Sequence, residues 1–295
     1  MKRLLPFICL VLLVGCESRI TPSEPIVIEQ TTLTNYAPVL PTDNFITKTM
    51  QSWRDIHPNT YQDILQALMH YDTTYHFSPS EIHPDDVMAI VEAIADNNRY
   101  DVPLKKWGVR YTNIDGELTF TYKLPYDELM KRKTFVDQQV QSIIANEVPS
   151  NATEYERVKA LHDYVVLNTA YDVTTYENCD AINCENVADP YSAYGLFANQ
   201  IAVCSGYTGA FTALLDAAGI ENYVVTGTAK GVGHAWNIVK VDGQYYHVDT
   251  TWDDPVPDRP NEVQYDYFLK PNGEMYDHSW KPDDFPPVAK EAYPH

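Results

Sequence analysis

An α+β fold is predicted, with a cysteine at the start of a buried helix and a β-hairpin after it. Three observations predict it. Asp242-Gly243 separates two β-rich runs, Gly233 to Val241 and Gln244 to Trp252, and Asp-Gly between such runs is a strong hairpin signal. After Cys204, the residues Tyr207, Phe211, Leu214, Leu215 and Ala218 recur at helical spacing, and Gly219 can close that helix in the left-handed conformation. Residues 46–150 mix the two periods and read as a smaller α/β region ahead of a domain at 151–295.

Within 46–150, Val87, Ile90, Val91 and Ile94 follow the helix start His83-Pro84-Asp85. Val109 and Tyr111, then Leu118, Phe120 and Tyr122, alternate about Asn113-Ile114-Asp115-Gly116, which predicts a hairpin. Residues 128–146 read as helix, and residues 154–168 as an amphipathic helix with Tyr155, Val158, Leu161, His162 and Val165 on one stripe. His162 is read there as filler of the stripe. Residues 16–45 hold Pro22, Pro25, Pro38 and Pro41 among Ser, Thr and acids with no sustained period, and read as a tether.

The first fifteen residues read as a signal segment: Lys2 and Arg3 precede the apolar run Leu4 to Val14, which is shorter than the ~20 residues a spanning helix needs. Leu13-Val14-Gly15-Cys16 resembles a bacterial lipobox, so Cys16 is expected to carry lipid; an ordinary signal peptide with a chance cysteine is the alternative. That predicts an extracytoplasmic protein held to a membrane by its anchor. Loss of Lys2 and Arg3 from 21 basic residues would leave 19 against 41 acidic ones, a net charge of −22. Such a charge argues against nucleic acid as a partner and favours cationic ones. A hydrophobic content of 44% supports a packed core.

Of the mature cysteines, Cys179 and Cys184 lie in Cys-Asp-Ala-Ile-Asn-Cys, a loop that can close as a disulfide in an oxidising compartment. A zinc site on the pair is disfavoured, because no nearby His or Cys pair completes four ligands. Cys204 is left as a free thiol. At a helix start, unpaired N–H groups favour a thiolate and can hold an oxyanion. On position alone a buried structural cysteine is the commoner case, and the hairpin reverses that reading. With a two-residue turn Val241 opposes Gln244, so Trp236 opposes Asp249, and His234 opposes Thr251. His234 and Asp249 then become diagonal neighbours, about 7–8 Å apart at Cα. Cys204, His234 and Asp249 thus form a candidate triad: nucleophile, proton carrier, and the carboxylate that orients the ring. Asp253 and Asp254 read as the turn that ends the strand, and His247 as a packing residue beside the aspartate.

The runs Tyr194-Gly195-Leu196, Val203-Cys204-Ser205-Gly206-Tyr207 and Ala218-Gly219-Ile220 resemble the cysteine block of bacterial transglutaminase-like domains. Gly233-His234-Ala235-Trp236-Asn237 and Tyr246 to Asp253 resemble its histidine and aspartate blocks, while Tyr267-Phe268-Leu269 and His278-Ser279-Trp280 are similar to its tail. The resemblance covers roughly residues 155–282. It implies a papain-like arrangement, a helical lobe with the cysteine and a sheet with the other two residues. Gln200, Tyr171 and Trp236 are candidates for substrate or oxyanion contact. Residues 253–266 are acid-rich but match no calcium loop, and no cofactor or metal is expected. The resemblance implies a thiol enzyme that transfers acyl groups from amides of extracellular protein or cell-wall peptide. Water as acceptor makes it a protease or amidase, slightly favoured here, and a lysine or polyamine makes it a crosslinker. A catalytically inactive binding module at the cell surface is the alternative.

Overall fold

Two four-stranded antiparallel sheets, each backed by helices, organise the computed structural model, which describes residues 26–31, 53, 56–97, 102–178 and 189–294. The expected signal segment 1–15, Cys16, and the expected Cys179–Cys184 pair lie outside the described residues.

The first sheet has the order β1-β3-β4-β2, built from β1 (Ile26–Thr31), β2 (Thr74–Phe77), β3 (Leu104–Tyr111) and β4 (Gly116–Tyr122). The expected hairpin is β3–β4, with Tyr111 paired to Gly116. Helices α1 (Pro58–Met69) and α2 (Pro84–Asn97) cover the sheet. Val87, Ile90, Val91 and Ile94 all face the core, as their spacing requires. Asp85 and Asp86 sit in the first turn of α2, where the helix dipole favours negative charge. Part of the expected tether is corrected: Ile26–Thr31 pair antiparallel with Thr31 opposite Lys106 and Ile26 opposite Tyr111. An edge strand is held by backbone hydrogen bonds along one side, so its short apolar run needed no long-range period to join the sheet.

The helix expected over 128–146 is α3 (Tyr126–Glu147), and its packing moves the boundary expected at 150/151. Val140 and Ile143 lie in the second core, together with Val158, Leu161 and Val165 of α4 (Glu154–Leu167). Thr153 and Glu156 form a reciprocal capping box at the start of α4, at 3.2 and 2.8 Å. Residues Ala170–Tyr171 form β5, which runs parallel to β6 (Ile201–Ala202); between them lie α5 (Val173–Asn178), a 3₁₀ turn at Asp189–Tyr191 and α6 (Ala193–Asn199).

Helix α7 (Cys204–Ala217) is buried nearly all round, between the second sheet and helices α3, α4 and α6. Gly219, at φ +71°, ends it as expected. The sheet beneath has the order β10-β7-β8-β9, from β7 (Asn222–Ala229), β8 (Val232–Val241), β9 (Gln244–Val248) and β10 (His278–Ser279). Asp242 and Gly243 both have positive φ, 50° and 80°, as a two-residue hairpin turn requires. Val241 pairs with Gln244 and the ladder runs in the expected register to Asn237 and Val248, where pairing stops, so the expected pairs Trp236–Asp249 and His234–Thr251 are corrected: neither is part of the ladder. Asn237 donates its amide to Thr212 Oγ1 at 2.8 Å, which ties the strand to α7.

The first turn of α7 lies flush on the Asp189–Tyr191 turn. Val203 N–H donates to Pro190 O at 2.9 Å, and a Cβ added at Gly206 would meet that same oxygen at 2.7 Å. Gly206→Ala is therefore expected to lower stability by roughly 1–3 kcal/mol, the usual cost of overpacking. Urea denaturation measures this, and a Gly206→Ala midpoint equal to wild type would refute the close docking.

Candidate active site

Each candidate residue is positioned by backbone geometry. Cys204 is the first residue of α7, partly exposed and a free thiol. Val203 precedes it as N-cap and makes no side-chain capping hydrogen bond. His234 lies three residues beyond the end of the β8–β9 ladder, and Asp249 follows the last residue of β9.

The sequence pattern places His234 and Asp249 on one face, and the structure joins them: His234 Nε2 lies 2.7 Å from Asp249 Oδ2, with both side chains buried. This leaves Nδ1 for the thiol. Burial pushes the Cys204 thiol up, but its hydrogen bond to His234, the imidazole charge and the Ala235 backbone outweigh that, and the net shift is downward. Burial pulls His234 down, and the Asp249 charge and hydrogen bond override it, leaving the imidazole at about 10. Burial likewise penalises the Asp249 carboxylate, and His234 with His278 more than compensates, so it lies well below the ordinary carboxylate range. The two shifts, thiol down and imidazole up, both favour a thiolate–imidazolium pair.

Asp249 is fully hydrogen-bonded. Oδ2 faces His234 Nε2 and, at 3.0 Å, His278 Nε2. Oδ1 accepts from the backbone N–H of Thr251 at 3.0 Å and of Trp252 at 3.2 Å. Among the described residues, His234, Asp249 and His278 form the one group of three or more His, Cys, Asp or Glu side chains whose ligand atoms all lie within 4.8 Å of one another. Their separations of 2.7 and 3.0 Å are those of hydrogen bonds, tighter than the roughly 3.3 Å between two ligands on one zinc ion.

The three secondary candidates fare differently. Tyr171 reaches the site because β5 pairs with β6, setting Tyr171 beside Ala202, two residues from Cys204. Burial raises its hydroxyl, and the Cys204 charge adds to that. Trp236 is corrected as a contact for substrate. It is fully buried, stacks on His234 at 5.9 Å, and spends its N–H on His247 Nδ1 at 3.0 Å. His247 consequently carries its proton on Nε2, which donates to Asn272 Oδ1 at 2.8 Å, and burial lowers it to about 4. Gln200, in the left-handed conformation at the end of α6, turns the chain into β6, its side chain exposed and its carbonyl accepting from Ala170 N–H.

Residues 142–250 match the family model described as the transglutaminase-like superfamily. They are a transglutaminase-like domain. Kyphoscoliosis peptidase of Mus musculus is 22% identical over 239 residues, which cover 69% of this chain and 35% of that protein. Its Homo sapiens counterpart is 28% identical over 112 residues, 34% of this chain and 16% of that one. The chain thus spans about a third or less of the length of these relatives. A crystal structure of a TGase aligns with 53% of this chain and 46% of that one, at 19% identity and a TM-score of 0.37.

Three side chains of this domain and its C-terminal extension were not singled out as functional by sequence. Tyr191, in the turn docked on α7, is close enough to Cys204 that the thiolate charge adds to burial in raising its hydroxyl. His278 arrives from β10, and only its place in the resembling tail hinted at it. His162 is corrected from filler: it is fully buried, with Nδ1 3.0 Å from Asp163 Oδ1 and Nε2 3.0 Å from Asp253 Oδ2. Asp253 Oδ1 in turn accepts Tyr267 N–H at 2.8 Å. Asp254 accepts the Tyr207 hydroxyl, and burial raises its carboxyl to about 7. Both acids therefore fix the loop after Asp249.

Burial lowers His162, but its two carboxylates outweigh that and raise it above its ordinary value. A histidine raised on folding stabilises fully below the unfolded value of about 6.5, and the gain is lost as pH rises through the folded value. The stability gap between wild type and His162→Gln is therefore expected to be widest below about pH 6.5 and to narrow in alkali. Denaturant midpoints across pH measure it; a gap that widens with pH would contradict the charged, doubly paired histidine.

Proposed function

We propose that the transglutaminase-like domain is a thiol acyl-transfer enzyme that cleaves amide bonds, with Cys204, His234 and Asp249 as its triad. The observation that carries the reading is the His234 ring, held by Asp249 at 2.7 Å with its other nitrogen left to a thiol at a helix start. Cys204 thiolate attacks the amide carbonyl, and the oxyanion forms beside the first N–H groups of α7. His234 gives its proton to the departing amine, leaving a thioester. Water then attacks the thioester, His234 takes its proton, and the thiolate leaves with the acid released. Tyr171 and Tyr191 flank the thiol as candidates for substrate contact.

Water is the favoured acceptor, in keeping with the peptidase name of the two relatives. The substrate class is extracellular protein or cell-wall peptide, reached by a protein anchored through a lipid on Cys16. An inactive surface-binding module remains the second reading only if the thiol is inert, which the lowered Cys204 pKa disfavours.

Cys204→Ser and His234→Ala are each expected to cut turnover of a labelled casein by roughly 10³-fold or more, and Asp249→Ala by about 10²-fold. Wild-type Cys204 should alkylate with iodoacetamide well below pH 7, and His234→Ala should move that midpoint upward. A thiol slow to alkylate at every pH, and indifferent to His234, would remove the enzyme reading.

A further inference from the structure

The carboxylate that orients His234 is shared. His278 Nε2 lies 3.0 Å from Asp249 Oδ2, the same oxygen that His234 approaches at 2.7 Å. An ionised carboxylate only accepts, so His278 must donate its N–H there. His278 lies outside residues 142–250, and it reaches the site through a strand of its own. Strand β10 pairs with β7, His278 opposite Ala229 and Ser279 opposite Thr228. The approach is close enough that a Cβ at Gly227 would meet Ser279 O at 2.2 Å, and Gly227 is the β7 residue paired with His234.

We propose that His278 is a positioning residue of this site. By sharing Asp249 Oδ2 with His234, it limits how tightly the carboxylate holds the imidazole proton, so that His234 can release that proton to the leaving amine. The proposal rests on the acyl-transfer reading. The physical basis is a competition for one oxygen. A lone carboxylate, buried and held by two backbone N–H groups, would bind the His234 proton strongly and make the ring a poor acid. A second donor on Oδ2 withdraws part of that negative charge.

The ring of His278 is fixed on every side. Asp277 Oδ1 faces its Nδ1 at 2.9 Å, and Tyr267 OH donates to Asp277 Oδ2 at 2.7 Å. Trp236 and His234 face it from β8, at 4.8 and 5.5 Å between ring centroids. Trp252 and Tyr267 face it from the segment after β9, at 4.8 and 5.2 Å. From β9 itself, His247 lies close enough for the two imidazoles to influence one another. Lys230, over the Trp252 ring at 4.3 Å, is the nearest basic side chain of the β7–β8 turn. Loss of the His278 donor raises the proton affinity of His234 whether that donor counts as a dipole or as a charge, so the sign of the effect is fixed.

The test follows iodoacetamide alkylation of Cys204 against pH. The rate of a thiolate paired with an imidazolium should rise in two steps, the upper one as His234 deprotonates and frees the thiolate. In His278→Phe, which fills the space without a donor, the upper step is expected to rise by about one pH unit, the scale of one hydrogen bond to a charged group. In His278→Gln, whose amide reaches where Nε2 was, the step should return toward wild type, and turnover of labelled casein should recover from a roughly tenfold loss in kcat with KM little changed. If the Phe variant does not fold, His278→Asn, too short to reach Asp249, replaces it. A two-step wild type whose upper step stays put in the variants overturns the proposal alone. A wild-type thiol that alkylates in one step near its ordinary value of about 8.5 overturns the acyl-transfer reading, and the proposal with it.

Discussion

A buried, ionised carboxylate sets the terms for the rest of the site. Asp249 is wholly removed from solvent, and a carboxylate in that position is tolerated only when its oxygens are satisfied. Four hydrogen bonds do this, two from backbone N–H groups and two from histidines. The backbone pair demands that the chain turn sharply after β9, which explains why the ladder stops at Val248 although both sequences remain β-rich. The histidines demand that β8 and β10 converge on one oxygen, and β7 lies between them as the strand both can pair with.

That sharp turn needs support of its own, and two further acids supply it. Asp253 is held by His162 from α4 and by Tyr267 N–H, and Asp254 by Tyr207 from α7. The helices that carry the thiol and line the core thus also brace the loop that carries the carboxylate. Tyr207 stands three residues after Cys204, so one turn of α7 fixes both the thiol and, through Asp254, the far side of the site. Burying so many ionisable groups is costly unless each is paired, and removal of a single partner is expected to cost more than the pair contributes.

The thiol, the imidazole and the carboxylate were legible in the sequence because each sat in a local signal. Asp242-Gly243 dictates a two-residue turn, the turn dictates register as far as Asn237 and Val248, and that register brings His234 and Asp249 to the same end of the hairpin. Cys204 was legible because the helical period begins with it. What stayed hidden was long-range. His278 follows Asp249 by 29 positions and joins through a strand of two residues, too short for any period to show. His162 sat on an apolar stripe whose spacing is the same whether a histidine fills space or bridges two acids. Trp236 entered as a contact candidate with the resemblance, and its actual hydrogen bond sends the indole to His247. Ile26–Thr31 carried too few residues to distinguish an edge strand from a tether.

The proposed chemistry requires His234 to be an imidazolium, paired with Cys204 on one side and Asp249 on the other. Side-chain ¹⁵N NMR of the His234 ring, followed through a pH titration of wild-type protein, reads this directly. Both ring nitrogens are expected to carry protons at neutral pH, and to lose one only near pH 10. A neutral ring at pH 7, titrating near the ordinary 6.5, would contradict it.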